Sequence, residues 1–202
     1  MEAGIGLNIS SILGTIGTIL GLVRAVPQLV RLVRAREAFG VSVDTTGTSA
    51  IVSVAWVVYA ILTGQPYVCF ATAPTAVTFA ISTFAALRFG RSVREFKITP
   101  IWCAVLLLAG LLGGVAGLGL VLSISVLISN LPQLWVAYHE GNLEDLSLGT
   151  WLLCTCDGLV WASYALLMHD TSILFYGIFQ FATSASIATL KLAHRARTPL
   201  AD

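Results

Sequence analysis

The stretch that decides the fold is Val26-Pro27-Gln28-Leu29, because a close copy, Leu131-Pro132-Gln133-Leu134, follows 105 positions later. When the chain is aligned with itself at this offset, identical residues pair along its length: Ser42 with Ser147, Thr45 with Thr150, Trp56 with Trp161, Tyr59 with Tyr164 and Ala60 with Ala165. No gap is needed from Gly14/Gly119 to Leu87/Leu192. An internal repeat of this length predicts two copies of one structural unit.

The composition predicts that both copies lie in a lipid bilayer. The 202 residues are 57% hydrophobic and 10% charged, whereas soluble domains carry roughly 25% charged residues. A net charge of +1 argues against a nucleic-acid partner. The four cysteines lie inside apolar runs, so we interpret them as small hydrophobic residues and expect no disulfide, metal or other cofactor. No enzyme motif occurs, so we expect no enzyme. The chain has no room for an ATP-binding domain, so we do not expect primary active transport by this chain alone.

Seven apolar runs predict seven transmembrane helices. Residues 101–138 are too long for one span, since about 20 residues at 1.5 Å each cross a ~30 Å hydrocarbon core. Gly113-Gly114 offers a break in that run. The predicted spans are about residues 5–33, 45–62, 67–87, 101–112, 113–138, 146–168 and 172–192.

The repeat and the spans together predict an all-α integral membrane protein in which two parallel three-helix bundles are joined by a linker helix. A single linker helix restores the orientation of the second copy, as parallel repeats require. The predicted domains are a first bundle (1–90), a linker with the fourth helix (91–114), a second bundle (115–197) and a C-terminal tail (198–202).

Basic residues predict the orientation in the membrane. Ten of the eleven Lys and Arg residues lie in the loops that follow the first, third, fifth and seventh spans or beside them. Because cytoplasmic loops are rich in Lys and Arg, the N-terminus is predicted to be outside and the C-terminus cytoplasmic. The cell membrane is the expected location.

Two three-helix copies, each with Pro-Gln on its first helix and Trp-x-x-Tyr-Ala on its second, resemble the SWEET and PQ-loop transporters. The resemblance implies a substrate cavity between the bundles and alternating access in which the Pro-Gln helices bend. It also implies that Trp56 and Trp161 line the cavity. The implied hinge residues are Pro27, Gln28, Pro132 and Gln133.

Two departures leave the substrate open. The sugar-carrying members place an asparagine on the third helix of each bundle, and the corresponding positions here are Thr72 and Gly177. Plant members have prolines on the second helix of each bundle, whereas residues 45–62 and 146–168 contain none.

The two copies differ at two charged positions. At the repeat offset, Arg24 is aligned with Ser129 and Asp157 is aligned with Val52. Charged residues inside a span are candidates for function. Asp157, Trp161 and Tyr164 follow the spacing of one helix face, and Ser53 accompanies the equivalent tryptophan of the first copy. Such an aromatic face with a few polar groups suits a sugar ring or another small polar solute.

Alternative interpretations of these residues stay open. The two tryptophans can belong to the bundle cores, and Arg24 can extend toward the cytoplasmic interface or pair with Asp157. The leading hypothesis is transport of a sugar or another small polar solute. A second is proton-coupled transport of an amino acid or other zwitterion through Asp157 and Arg24, and a third is a membrane receptor that does not transport. A homo-oligomer is compatible with each of them.

Overall fold

The computed structural model describes residues 8–36, 42–139 and 147–197, most of which are helical. The α-helices are α1 Ile9–Ala35, α2 Val43–Thr63, α3 Pro66–Arg88, α4 Ile98–His139, α5 Leu148–Met168 and α6 Thr171–Arg197, and a short 3₁₀ helix covers Val93–Glu95. Five of these helices, α2 to α6, are long and apolar enough to cross a membrane. α1 has 27 residues, and its part Ile9–Val23 is apolar as well.

α4 contains two spans, because its 42 residues are too long for one crossing. At 1.5 Å per residue it would measure about 63 Å, twice the ~30 Å core of a bilayer. Gly114 interrupts it with φ 59° and ψ −149°, a conformation that glycine tolerates because it has no Cβ. The break predicted at Gly113-Gly114 is therefore present. With α4 counted as two segments, the described part of the chain has seven helices, and the predicted class of all-α membrane protein is confirmed.

The second helix of each copy begins and ends in the same way. Ser42 caps α2 and Ser147 caps α5, since each hydroxyl oxygen accepts the backbone N–H three residues later, at 3.2 and 3.3 Å. Serine favours this position because it satisfies one of the free amides of the first turn. The helices end at Gly64 and His169, both left-handed with φ 67° and 54°, a common helix terminator.

The first and third helices of each copy are joined by an equivalent hydrogen bond. Thr18 Oγ1 shares its hydrogen between the Gly14 carbonyl of its own helix at 2.8 Å and the Tyr67 carbonyl at 3.4 Å, and Ser123 Oγ donates to the carbonyl of Ser172 at 2.7 Å. Both partners of the second bond lie 105 positions after those of the first. The offset seen in the sequence is thus repeated in tertiary contacts.

The chain divides into two compact units, residues 1–122 and 123–202. In the first unit α1 and α2 both pack against α3, and in the second α5 packs against α6. One apolar cluster of the first unit contains the buried residues Leu32, Val43, Ala85 and Ala86. A cluster of the second unit is built on Ala137 and Ile187. The predicted domain limits at residues 90, 114 and 197 stay predictions.

An aspartate ties the start of α2 to the start of α4 in the first unit. The carboxylate of Asp44 accepts the backbone N–H of Ile98 at 2.8 Å and that of Thr99 at 2.8 Å, and also the hydroxyl of Thr99 at 2.8 Å. The first amides of a helix have no partner within the helix, and its N-terminus favours negative charge. Asp44 therefore acts as a cap for a helix that begins 54 residues later.

Candidate functional site

The second helix of each copy buries a tryptophan and a tyrosine on one face. Trp56 and Trp161 are 7% and 6% exposed. Each makes an edge-to-face contact with the tyrosine three residues later, Tyr59 or Tyr164, with 5.5 Å between ring centroids in both copies. The spacing follows from the helical repeat, which brings i and i+3 to the same face. The aromatic geometry is thus the same in both copies.

Asp157 distinguishes the second copy, because it places a carboxylate on this aromatic face. The side chain is only 3% exposed. Trp161 donates its indole N–H to Oδ1 at 3.1 Å, and Tyr176 on α6 donates its hydroxyl to Oδ2 at 3.3 Å. The equivalent positions of Asp157 and Tyr176 in the first copy are Val52 and Ala71. A carboxylate held in this way can take up a proton or accept hydrogen bonds from a ligand.

Four buried polar side chains join three helices of the second unit, and we call them the amide cluster: Asn130, Gln180, Thr183 and Ser184. Asn130 on α4 donates from Nδ2 to Gln180 Oε1 at 3.1 Å and to Thr183 Oγ1 at 2.8 Å. Gln180 Nε2 in turn donates to Ser184 Oγ at 3.2 Å and to the Cys154 carbonyl of α5 at 3.5 Å. Within the described ranges, no buried side-chain nitrogen or oxygen lacks a hydrogen-bond partner.

α5 and α6 approach so closely that their backbones touch. A Cβ added to Gly177 would lie 2.4 Å from the backbone nitrogen of Ala162 and 2.8 Å from the carbonyl oxygen of Gly158. A Cβ added to Gly158 would lie 2.4 Å from the backbone nitrogen of Phe181. Small residues commonly allow such close packing in membranes. Both glycines therefore serve the contact between the two helices.

The family described as PQ loop repeat matches residues 9–68, which contain α1, α2 and the start of α3. Residues 9–68 are thus similar to a PQ-loop repeat. The repeat offset places a second copy at 114–173, from Gly114 to the first turn of α6. The predicted resemblance to the SWEET and PQ-loop family is thereby confirmed.

Among solved structures, the chain is similar to a eukaryotic SWEET transporter determined at 3.7 Å resolution. The two share 17% sequence identity and a TM-score of 0.74, and the match covers 93% of this chain and 97% of that one. At this identity the likeness concerns the fold. No curated protein matches the sequence.

The predicted substrate-binding residues of the first copy lie on α2 and α3. Ser53 is buried on α2, one helical turn before Trp56. Thr72 is half-buried on α3, and its hydroxyl donates to the Val68 carbonyl of its own helix at 2.7 Å. The position that corresponds to Thr72 in the second copy is Gly177, which packs against α5 as described above. A role of these residues in binding stays a prediction.

Several predicted residues have side chains outside the described part of the chain. Arg24, Pro27 and Gln28 lie on α1 and Pro132 lies on α4, but only their backbone belongs to the described helices. Gln133 is half-buried on α4. The hinge role and the pairing of Arg24 with Asp157 therefore stay predictions as well.

Tyr176 and Gln180 were not among the residues singled out from the sequence, although they complete the polar interior of the second unit. A signal for both was present in the repeat, because they replace Ala71 and Thr75 of the first copy. They also lie four residues apart on α6 and thus on one face of it.

Proposed function

We propose that this protein carries a small polar solute across the membrane by alternating access and that the solute is a sugar. The observation that carries the proposal is the pair of buried aromatic faces, Trp56–Tyr59 and Trp161–Tyr164, repeated with the same geometry in two PQ-loop copies. A binding site for a sugar needs aromatic surface with a few polar groups. The fold shared with a SWEET transporter supports the same proposal.

The test is uptake by purified protein in liposomes. Radiolabelled monosaccharides and disaccharides should equilibrate faster than with empty vesicles, and Trp56→Ala and Trp161→Ala should each reduce the rate. Trp135→Ala is a matched control, because Trp135 is 66% exposed at the end of α4 and its loss should leave uptake unchanged. A sugar panel without uptake would exclude the sugar. Saturable binding without flux would favour the receptor.

A second candidate function, proton-coupled transport of an amino acid or other zwitterion, is favoured by Asp157. Its carboxylate is buried inside a span, where charge is costly and acidic residues mark proton relays and ion pathways. Arg24 of the first copy would supply the opposite charge for the carboxylate group of the solute. The predicted partners are then the solute and protons.

A pH gradient separates the two candidates. With an inward proton gradient, uptake of a labelled amino-acid mixture should accelerate, and Asp157→Asn should remove the acceleration while gradient-free uptake persists. An uptake rate of the unsubstituted protein that is the same with and without the gradient would exclude proton coupling.

The proposed orientation has the N-terminus outside and the C-terminus in the cytoplasm of the cell membrane. It rests on the basic residues Arg34, Arg36, Arg88, Arg91, Arg94 and Lys97, which lie at the ends of α1 and α3 or just beyond α3. Labelling of a cysteine placed at Arg94 with a membrane-impermeant reagent should require permeabilised cells. Labelling in intact cells would contradict the proposed orientation and favour the opposite one.

A further inference from the structure

In the second unit, hydrogen bonds join the Pro-Gln helix α4 to α6 at two positions along its length, which we call two levels. Ser123 bonds to the Ser172 carbonyl at 2.7 Å, and Asn130 bonds to Gln180 and Thr183 at 3.1 and 2.8 Å. Ser123 and Asn130 are seven residues apart, so both lie on one face of α4. The second level joins α5 as well, because Gln180 also donates to a carbonyl of that helix.

The first copy repeats the first of these levels but has no asparagine at the position of the second. Thr18 bonds to the Tyr67 carbonyl at 3.4 Å, but the residue equivalent to Asn130 is Ala25, which has no polar side chain. The residues equivalent to Gln180 and Thr183 are Thr75 and Thr78. Their hydroxyls donate to carbonyls of their own helix, four residues earlier, at 2.7 and 2.8 Å.

The additional level lies next to the proline. Asn130 precedes Pro132 by two residues on α4. A proline removes one hydrogen bond of its helix and weakens the helix just before it. A side chain anchored there by two buried hydrogen bonds opposes bending, because bending would leave buried polar atoms without partners. The segment before Pro27 has an alanine in this place.

We propose that the amide cluster locks the Pro132 helix to α6, so that the second unit moves as one body, and that the helix which bends is α1 at Pro27. The two copies are thus alike in fold but different in mechanics, with Asn130 as the positioning residue that makes the difference. The inference goes beyond the proposed function and needs no solute for its test, so its failure can be told apart from a failure of the transport proposal.

The test compares two distances that are equivalent in the two copies. Spin labels replace Val33 and Arg88 in one protein, and Tyr138 and Ala193 in another; all four positions are exposed and the pairs are related by the repeat offset. Labels on genetically encoded amino acids leave the four native cysteines in place. In reconstituted full-length protein, electron double resonance should give a distribution for the 33/88 pair that is about twice as wide as that for the 138/193 pair.

Removal of Asn130 from the amide cluster should abolish the difference in width between the two distance distributions. With Asn130→Ala, the 138/193 distribution should widen to match the 33/88 one. Equal widths in the unsubstituted protein, or an unchanged 138/193 distribution in folded Asn130→Ala, would overturn the proposal.

Thr183→Val and Thr78→Val supply the test if the Asn130 variant does not fold. Both threonines are buried and both bond to their own helix, but only Thr183 also accepts a bond from Asn130. Thr183→Val should widen the 138/193 distribution, whereas Thr78→Val should leave the 33/88 distribution unchanged. An unchanged 138/193 distribution in Thr183→Val would refute the proposal that the amide cluster locks α4 to α6.

Discussion

Replacement of Gly177 by alanine should separate α5 from α6 and lower the melting temperature. The new methyl carbon would lie 2.4 Å from the backbone nitrogen of Ala162, while ordinary contacts begin at 3.4 Å, so the helices would have to move apart by about 1 Å. Overpacking costs about 1–3 kcal/mol, and alanine regains about 1 kcal/mol of helix propensity. Backbone atoms cannot rotate away as a flexible side chain can, so we place the cost at the upper end of this range. The net loss is then about 2 kcal/mol, or a melting temperature lower by roughly 4–8 °C for a chain of this length.

The assay is thermal unfolding of purified protein in detergent, and Gly110→Ala is the matched control. Gly110 is also helical, but an added Cβ would meet no atom within 4 Å. The melting temperature of Gly110→Ala should therefore equal that of the unsubstituted protein or be slightly higher. Separation of the helices should also lengthen the 3.3 Å hydrogen bond from Tyr176 to Asp157. If Gly177→Ala melts at the wild-type temperature or above it, the reasoning about backbone contact is wrong.

Two further substitutions test the cap and the hinges. Asp44→Ala removes the acceptor of the Ile98 and Thr99 amides and should destabilise the protein by about 1–2 kcal/mol in thermal unfolding, with Asp44→Asn in between because it keeps an oxygen without the charge; equal stability of all three proteins would contradict the cap. Pro27→Ala should slow solute exchange in liposomes, since proline costs ~3 kcal/mol in a helix and its loss shifts a balanced equilibrium about a hundredfold. Pro132→Ala should slow exchange much less, and equal effects would contradict a single bending helix.

Helix positions followed from the sequence because they depend on local signals. The apolar runs and the break at Gly113-Gly114 are each encoded within a few residues. The aromatic face of Asp157 and Trp161 followed from helical spacing alone. These features made the architecture predictable.

Contacts between helices did not follow from the sequence. The sequence gives no distance between Asp157 and Tyr176, or between Asp44 and the start of α4, because both depend on how helices pack. Gly177 illustrates the same limit. The family resemblance implies that it takes the place of a pocket asparagine, but its backbone contact with α5 depends on tertiary packing. Local patterns predict which face a residue occupies, whereas its partner is decided by the neighbouring helix.

The cap formed by Asp44 has a consequence for biosynthesis. The carboxylate of Asp44 and the amides that it accepts, those of Ile98 and Thr99, all belong to the first unit and are translated before the second. That unit ends at residue 122, so residues 123–202 are still to be translated when its last residue is added to the chain. At about 5–20 residues per second, the delay is roughly 4–16 s. The first unit can therefore close its cap and assemble in the membrane before the amide cluster of the second exists.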